Sequence, residues 1–448
     1  MPSHIETIRL HLAGGPQSAR SLTEVLGVSQ PTVSRALAEL GDEVVRIGAA
    51  RSIQYGLRDS QRGLPDIPVY RVDAEGRIRR LGVLVPVRPD GFVMRQDDGA
   101  TLYSDGLPWW LVDMRPQGYL GRAYAVRHGA TLGLPAHLGD WSDTHALRAL
   151  LAHGHDAVGN LLLGDDARAR FLDAPVPAPL AAADQPATYA RLAREAAQGE
   201  SPGSSAGGEQ PKFTAWADTP DGPHQVIVKF SEAEAGPVPE RWRDLLLAEH
   251  LALATLREAG IAAAASRVID HHGPQRFLEV VRFDRAGPLG RRGLLSLAAL
   301  DAEFIGAAPA GWPSVTRRLA QARIITAEAT AGAQLLWAFG TLIGNTDMHA
   351  GNLSFVAEHG RPYALAPAYD MTPMAFAPRS SGALPDTVPE PQLNPEVPPA
   401  TWRAALALAQ TWLGRLQATD TFSTRFAPCL AALAGHLDLA AGKIERLG

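Results

Sequence analysis

Lysine is almost missing from this chain. Among 448 residues it stands only at Lys212, Lys229 and Lys443, against 39 arginines. Richness in Ala, Arg, Gly and Pro is the mark of GC-biased codon drift, which turns Lys into Arg wherever any cation will serve. A surviving lysine therefore marks a place that needs a compact point charge on a thin stem, where a wide planar fork will not do. One cysteine, Cys429, excludes an internal disulfide and a Cys-based metal site, and in its Leu/Ala-rich helix it reads as core filling. No apolar run approaches the about 20 residues that a bilayer span needs. His4 and Glu6 stand where a secretory signal would have a basic region, so a cytoplasmic protein without membrane attachment is expected. The histidines, His271-His272 included, lack metal-ligand spacing. Basic excess is missing too: the formal net charge is −5, so DNA contact would have to be local. What is present is ordinary for globular protein, 46% hydrophobic and 20% charged residues, which excludes disorder as the main state. The length suggests two or three domains at roughly 150 residues each.

Residues 1–60 read as a winged helix-turn-helix unit. Ile5, Ile8 and Leu12 suggest a helix that stops at Gly14-Gly15-Pro16. Residues 21–26 make a second helix, Gly27-Val28 a tight turn, and residues 29–40 a third helix with Ser29 as N-cap and Pro31 in its first turn. Leu22, Val25, Leu26, Val28, Val33 and Leu37 form the expected apolar seam, and two β-like segments, 44–47 and 52–57, form the wing. In such a unit the third helix offers its N-terminal outward residues to the major groove. Here those are Gln30, Thr32, Ser34 and Arg35, with Arg46 and Arg51 placed for the DNA backbone. Six Arg against six acidic residues in 1–59 supply no basic footprint. A protein-binding three-helix module is the competing reading, and the polar recognition face favours duplex DNA.

Residues 61–185 turn to β and then mixed texture. Segments at 69–72, 79–85 and 92–94 alternate around Asp73-Ala74-Glu75-Gly76 and Arg88-Pro89-Asp90-Gly91, so a meander is expected. No catalytic constellation shows here, and Ala174 to Pro179 reads as a stiff linker.

Residues 186–448 carry the chemistry. Ser201 to Lys212 is a loop of small residues leading into a strand, and backbone N–H groups in such a loop can approach phosphates. The strand His224 to Phe230 follows, with Lys229 near its end, the placement of a kinase lysine that holds α- and β-phosphates. Glu249, in a helical stretch 243–258, is the expected ion-pair partner of Lys229. Phe277 to Arg285 reads as an apolar strand followed by a charged turn; between two lobes it would serve as a hinge whose backbone meets adenine, and by itself it is merely a sheet strand. Asp347 and Asn352 stand five apart, the spacing of the base and the metal-binding Asn in a kinase catalytic loop. An Asp takes the nucleophile's proton while the Asn reaches Mg²⁺ from the same loop, and a returning strand ends at Asp370, the second metal ligand. His349 either fixes this loop by a hydrogen bond, the preferred reading, or touches nucleotide. Residues 374–399 hold seven prolines and should be an extended, mobile segment after Asp370, either one that governs substrate access or an ordinary surface loop.

The series Ser204-Ser205-Ala206-Gly207-Gly208-Glu209-Gln210-Pro211-Lys212-Phe213, Val281-Arg282-Phe283-Asp284-Arg285, Thr346-Asp347-Met348-His349-Ala350-Gly351-Asn352 and Tyr369-Asp370 resembles the HipA family of bacterial serine/threonine kinase toxins. The resemblance covers roughly residues 120–440 and implies an α+β, two-lobed kinase-like fold related to phosphoinositide kinases, with a mainly helical C-lobe. It implies ATP and Mg²⁺ as cofactors, a protein substrate such as an aminoacyl-tRNA synthetase, and autophosphorylation in the glycine-rich loop. On this sequence it makes Asp347 the catalytic base and Asn352 and Asp370 the Mg²⁺ ligands. ATP would be held by Ala206, Gly207, Gly208, Glu209, Gln210, Lys212, Lys229, Val281, Arg282, Phe283, His349, Asn352 and Tyr369. Ser204 or Ser205 would be the autophosphorylated residue. The phosphate loop is one residue longer than is usual in the family. The family's usual partner is a separate helix-turn-helix antitoxin, whereas here such a unit is fused at the N-terminus, as in a YjjJ-like subgroup; DNA binding within one chain, a further antitoxin, and a homodimer on paired half-sites are the partner expectations. Two other functions stay open: a transcriptional regulator whose kinase-like domain senses nucleotide without catalysis, and a small-molecule kinase of the aminoglycoside or choline type.

Overall fold

The computed structural model describes residues 4–49, 52–176, 178–197, 210–270, 275–307 and 310–447. The chain begins with α1 (His4–Ala13), β1 (Gln17–Ser18), α2 (Ala19–Leu26), α3 (Gln30–Leu40), β2 (Val44–Ile47) and β3 (Gln54–Leu57). Ile8, Leu12, Leu22, Val33 and Leu37 pack the helices together, because helical spacing puts them on inward faces. Val25, expected in that seam, is 54% exposed. Ser18 caps α2 by accepting the Ser21 N–H at 3.0 Å, and Gly27 ends it at φ 65°. Ser29 precedes α3 in extended backbone but caps no N–H; its hydroxyl meets Thr32 Oγ1 at 3.0 Å. The three strands form an antiparallel sheet in the order β1-β3-β2, β1 being an element the sequence pattern did not reveal.

The middle region holds β4 (Ile67–Val72), β5 (Ile78–Pro86), β6 (Phe92–Gln96), β7 (Thr101–Ser104), α4 (Gly118–His128), α5 (Asp143–His153), β8 (Leu161–Leu163) and α6 (Gly164–Asp173). Its five antiparallel strands run β7-β6-β5-β4-β8. Ile67, Val69, Leu84, Phe92 and Met94 pack on Leu147 and Leu150 of α5. The other sheet face is used as well: Val85, Val87 and Val93 bury Val45 and Ile47 of β2. The N-terminal unit is thereby packed onto the middle sheet, with Gly48 N donating to Thr101 Oγ1 at 2.6 Å.

The remainder contains α7 (Gln185–Ala197), β9 (Lys212–Thr219), β10 (Gly222–Phe230), α8 (Pro237–Glu258), β11 (Ser266–Asp270) and β12 (Arg276–Val281). The strands form an antiparallel sheet ordered β11-β12-β10-β9. A hairpin of β13 (Arg285–Ala286) and β14 (Gly290–Arg291) follows, then β15 (Leu294–Ser296), α9 (Leu297–Phe304), α10 (Gly311–Gln321), α11 (Ala327–Leu342), β16 (Ser354–Val356), β17 (Ala364–Leu365), α12 (Pro399–Ala418) and α13 (Ala427–Glu445). Strands β15, β16 and β17 form a small sheet, so the strand expected to run up to Asp370 is only a two-residue element ending at Leu365. Trp312, Phe339, Phe355, Trp402, Trp412 and Phe426 fill the core of the helical part. The architecture is α+β. Among the described residues no helix is long and apolar enough to cross a membrane.

Residues 377–398 contain no helix or strand, as their prolines dictate, yet side chains fasten the segment in place. Arg241 Nη1 donates to the carbonyls of Phe376 (3.0 Å) and Pro385 (2.6 Å). Lys443 Nζ pairs with Glu390 at 2.6 Å and donates to the Pro391 carbonyl at 3.0 Å. The expected mobility is thus replaced by an anchored wall, because its carbonyls meet buried or half-buried cations.

A charged network joins the middle region to the strand β12. Arg282 grips Asp284 with two bonds of 2.9 and 2.8 Å, Arg285 adds one of 2.6 Å, and the Gly159 N–H donates to the same carboxylate at 3.2 Å. Arg285 also reaches Asp156 at 3.0 Å. Burial pushes the Asp284 carboxyl up, but the two guanidinium groups outweigh it and hold it far below the usual carboxylate range. Since its acidity is raised on folding, its contribution is complete above the ordinary aspartate value of about 4 and is lost as pH falls. Asp284→Asn leaves two buried cations without a carboxylate between them, and is expected to cost about 3–5 kcal/mol in urea unfolding at neutral pH. The difference from wild type should shrink in acid.

Candidate active site

Strands β9 and β10 pair so that Lys212 lies directly opposite Lys229. Opposed residues share a face, and both lysines are buried, 3% and 5% exposed. Two like charges in that position destabilise a sheet unless counter-charges meet them. Glu249, on the inward face of α8, takes both carboxylate oxygens to Lys229 Nζ, at 2.6 and 2.9 Å. Asp370 forms a second ion pair with Lys229. Thr372 Oγ1 donates to Glu249 at 2.8 Å and completes the set. Burial pushes the Lys229 ammonium down, but Asp370 and Glu249 outweigh it and hold it above the ordinary lysine range. Burial pushes Glu249 up despite Lys229, whereas Lys229 and then Lys212 hold Asp370 down against its burial.

The loop after α11 is shaped by its own side chains. Asn345 Oδ1 accepts the Asp347 N–H at 3.0 Å and its amide donates to the Asp370 carbonyl at 3.1 Å, tying the loop to the Asp370 backbone. Asp370 itself sits at φ 52°, a left-handed conformation that non-glycine residues adopt at a cost. Asn352 Nδ2 donates to the Asp347 carbonyl at 2.8 Å, which leaves its Oδ1 as the outward acceptor. His349 Nδ1 accepts the Gly351 N–H at 3.0 Å, so it acts as a loop brace while its ring also lines the cleft. Tyr369 donates to the Gly351 carbonyl at 2.9 Å and meets Ser354 Oγ at 2.7 Å.

These groups surround an open cleft of about 1080 Å³. Part of its lining is apolar, with Ile227, Val281, Phe283, Val158 and Leu294, and part is charged or polar, with Lys212, Lys229, Asp370 and Asn352. At the hinge, the Val281 and Arg282 N–H groups are spent inside the protein, on the carbonyls of Ala265 and Gln225, both at 2.8 Å. The Arg282 side chain is buried against Asp284. Among the described residues the Phe283 N–H has no backbone partner. Asp347 is exposed and faces the adjoining groove, walled by Trp337, Met348, Val388 and Pro389. Gln210 stands outside the cleft walls. Ser204, Ser205, Ala206, Gly207, Gly208, Glu209 and Arg51 lie outside the described residues. In the N-terminal unit Gln30, Ser34, Arg35 and Arg46 are exposed, while Thr32 is half-buried.

The donor set in the charged part of the lining suits Mg²⁺: one carboxylate and one amide oxygen, both hard, with room for phosphate oxygens and water. Among the described residues no cluster of three or more His, Cys, Asp or Glu could hold a metal by itself. Sequence reasoning missed Asn345, and it missed that the middle region supplies Asp113, Gln117 and Val158 to the cleft wall. Asn345 had a local signal, two residues before Asp347; the other three are brought in by tertiary contact alone.

The profile of the HipA-like C-terminal domain matches residues 204–419, and that of the middle domain of YjjJ-like toxins matches residues 64–172. Toxin YjjJ of Escherichia coli K12 is 39% identical over 438 residues, 98% of either chain. This chain belongs to the HipA family, in its YjjJ-like subgroup. Among solved structures, HipA of Shewanella oneidensis MR-1, determined with HipB and operator DNA, superposes with a TM-score of 0.50 at 15% identity, covering 85% of this chain and 97% of that one. The Helicobacter pylori proinflammatory kinase CtkA gives 0.40 at 14% identity over 54% and 94%. The HipA-like profile thus spans Lys212, Lys229, Glu249, Asp347, Asn352 and Asp370.

Lys229→Arg keeps the charge but puts a wide fork where two carboxylates close on a single buried nitrogen. Transfer of labelled phosphate from ATP is expected to fall about 100-fold or more, with the circular dichroism of the folded protein retained. Full activity in this variant would contradict the assignment.

Proposed function

We propose that the chain is an ATP- and Mg²⁺-dependent serine/threonine protein kinase of the HipA toxin type. The observation that carries this reading is the placement of two opposed buried lysines with Asp370 and Asn352 in one cleft, with Asp347 in the groove that shares His349 with it. Lys212 and Lys229 bind the nucleotide phosphates, and Phe283 N–H meets the base beside the apolar groups. Asn352 Oδ1 and Asp370 hold Mg²⁺, which neutralises charge on the transferring phosphoryl group. Asp347 takes the proton of an incoming serine or threonine hydroxyl as its oxygen bonds to the γ-phosphorus and ADP leaves with the bridging oxygen. An exposed base in a groove suits a protein acceptor better than an enclosed metabolite. A translation component such as an aminoacyl-tRNA synthetase is the acceptor class, and Ser204 or Ser205 the site of autophosphorylation.

Residues 1–60 form a winged helix-turn-helix that binds duplex DNA through Gln30, Thr32, Ser34, Arg35, Arg46 and Arg51, followed by a HipA N-terminal subdomain (61–185) and a two-lobed kinase core (186–448). The reading rests on the order α1-β1-α2-α3-β2-β3 and on the exposed polar start of α3. A homodimer on paired half-sites, a helix-turn-helix antitoxin as partner, and a cytoplasmic setting complete it.

Incubation with labelled ATP and native lysate, followed by identification of labelled proteins, tests the central part. Wild type should label itself and a small set of acceptors, while Asp347→Ala should lose about 100-fold or more of both. Equal labelling by the two proteins would remove Asp347 from the role of base, and ATP-dependent operator affinity without any transfer would favour a nucleotide sensor.

A further inference from the structure

We propose that Asp113, carried by the middle domain, binds the ribose hydroxyls of the nucleotide and makes the site selective for ribonucleoside over 2′-deoxyribonucleoside triphosphates. The proposal rests on the reading of the cleft as a nucleotide site.

Asp113 lies in the 3₁₀ turn Trp109–Met114 and reaches across to the kinase part, where its Oδ2 accepts the Ser296 N–H at 2.6 Å. The Ser296 hydroxyl bonds the same carboxylate, and among the described residues no Lys or Arg forms an ion pair with it. The side chain lines the cleft. Its position along the cleft follows from pairings. Ser296 ends β15 and stands opposite Ser354 of β16. Ser354 Oγ bonds Tyr369, the residue before Asp370, and the Tyr369 ring lies 5.6 Å from that of Phe283 at the hinge. Asp113 is therefore attached to the wall that runs from the hinge, which takes the base, to Asp370, which meets the phosphates. The sugar of a bound nucleotide occupies that interval.

The chemistry of the carboxylate agrees. Burial raises its affinity for a proton, and its two bonds to Ser296 are not enough to offset that. A partly buried carboxylate that no cation meets is costly until further donors arrive. The vicinal hydroxyls of ribose are two such donors on a neutral group. A 2′-deoxy sugar lacks one of them.

The test is equilibrium binding of Mg²⁺–ATP and Mg²⁺–2′-deoxy-ATP to the full chain by calorimetry, for wild type and Asp113→Asn. Asparagine keeps an oxygen for Ser296 N–H but turns an NH₂ toward the sugar. Wild type should bind ATP about tenfold or more tightly than 2′-deoxy-ATP, the factor for a hydrogen bond to a charged group. In the variant ATP should weaken by a similar factor while 2′-deoxy-ATP changes little, so the ratio approaches one. A wild-type ratio near one overturns the proposal without any variant, as does equal weakening of both nucleotides, which marks a structural role only. Failure of wild type to bind either nucleotide overturns the nucleotide reading itself, and this assignment with it.

Discussion

The arrangement of the site depends on a single buried ammonium group. Lys229 is held between Glu249 on α8 and Asp370 beyond the loop that follows α11, and Lys212 lies across the strand pair from it. Removing one partner of a buried ion pair costs about 3–5 kcal/mol, so this contact fixes α8 against the sheet and the Asp370 segment against both. At rest two lysines face two carboxylates and the cluster is neutral. On the proposed function, nucleotide phosphates and Mg²⁺ would bring opposite charges, with Asp370 holding the metal and Lys229 the phosphate, so little net charge would have to be buried.

The parts remote from the chemistry are joined to that centre by specific bonds. Asn345 makes the position of Asp347 depend on the Asp370 backbone. Asp284 ties the hinge to Gly159 of the middle region, and Asp113 ties the same region to Ser296. The N-terminal unit in turn buries Val45 and Ile47 on the middle sheet. The cleft is thus joined by continuous packing to the unit at the N-terminus.

Local patterns made much of this legible before any coordinates. The start of α3 at Gln30, the strand carrying Lys229, and the five-residue spacing of Asp347 and Asn352 are all short-range signals. Scarcity was informative as well, since two of three lysines sit in the cleft. Lys443, to which sequence reasoning assigned no role, pins Glu390 and Pro391 across 52 residues, a contact that periodicity cannot register. Asp113 was hidden for the same reason, since its partner Ser296 is 183 residues away, and the local run Arg282-Phe283-Asp284-Arg285 gave no sign that Gly159 joins its network. Val25 and Ser29 misled in the opposite way: residue type suited a seam and a cap, but the helix phase left Val25 exposed and the Ser29 hydroxyl turned to Thr32. At the hinge, residue pattern located the strand but could not show that two of its N–H groups are spent within the protein.

A structure of the full chain with Mg²⁺ and a non-hydrolysable ATP analogue tests the central claim most directly. The account predicts Lys229 Nζ on the α- and β-phosphate oxygens, Mg²⁺ between Asn352 Oδ1 and Asp370, and the γ-phosphate directed at the groove where Asp347 stands. An analogue bound outside this cleft, or one bound within it while Lys229 keeps its pair with Asp370 and the phosphates point away, would contradict it.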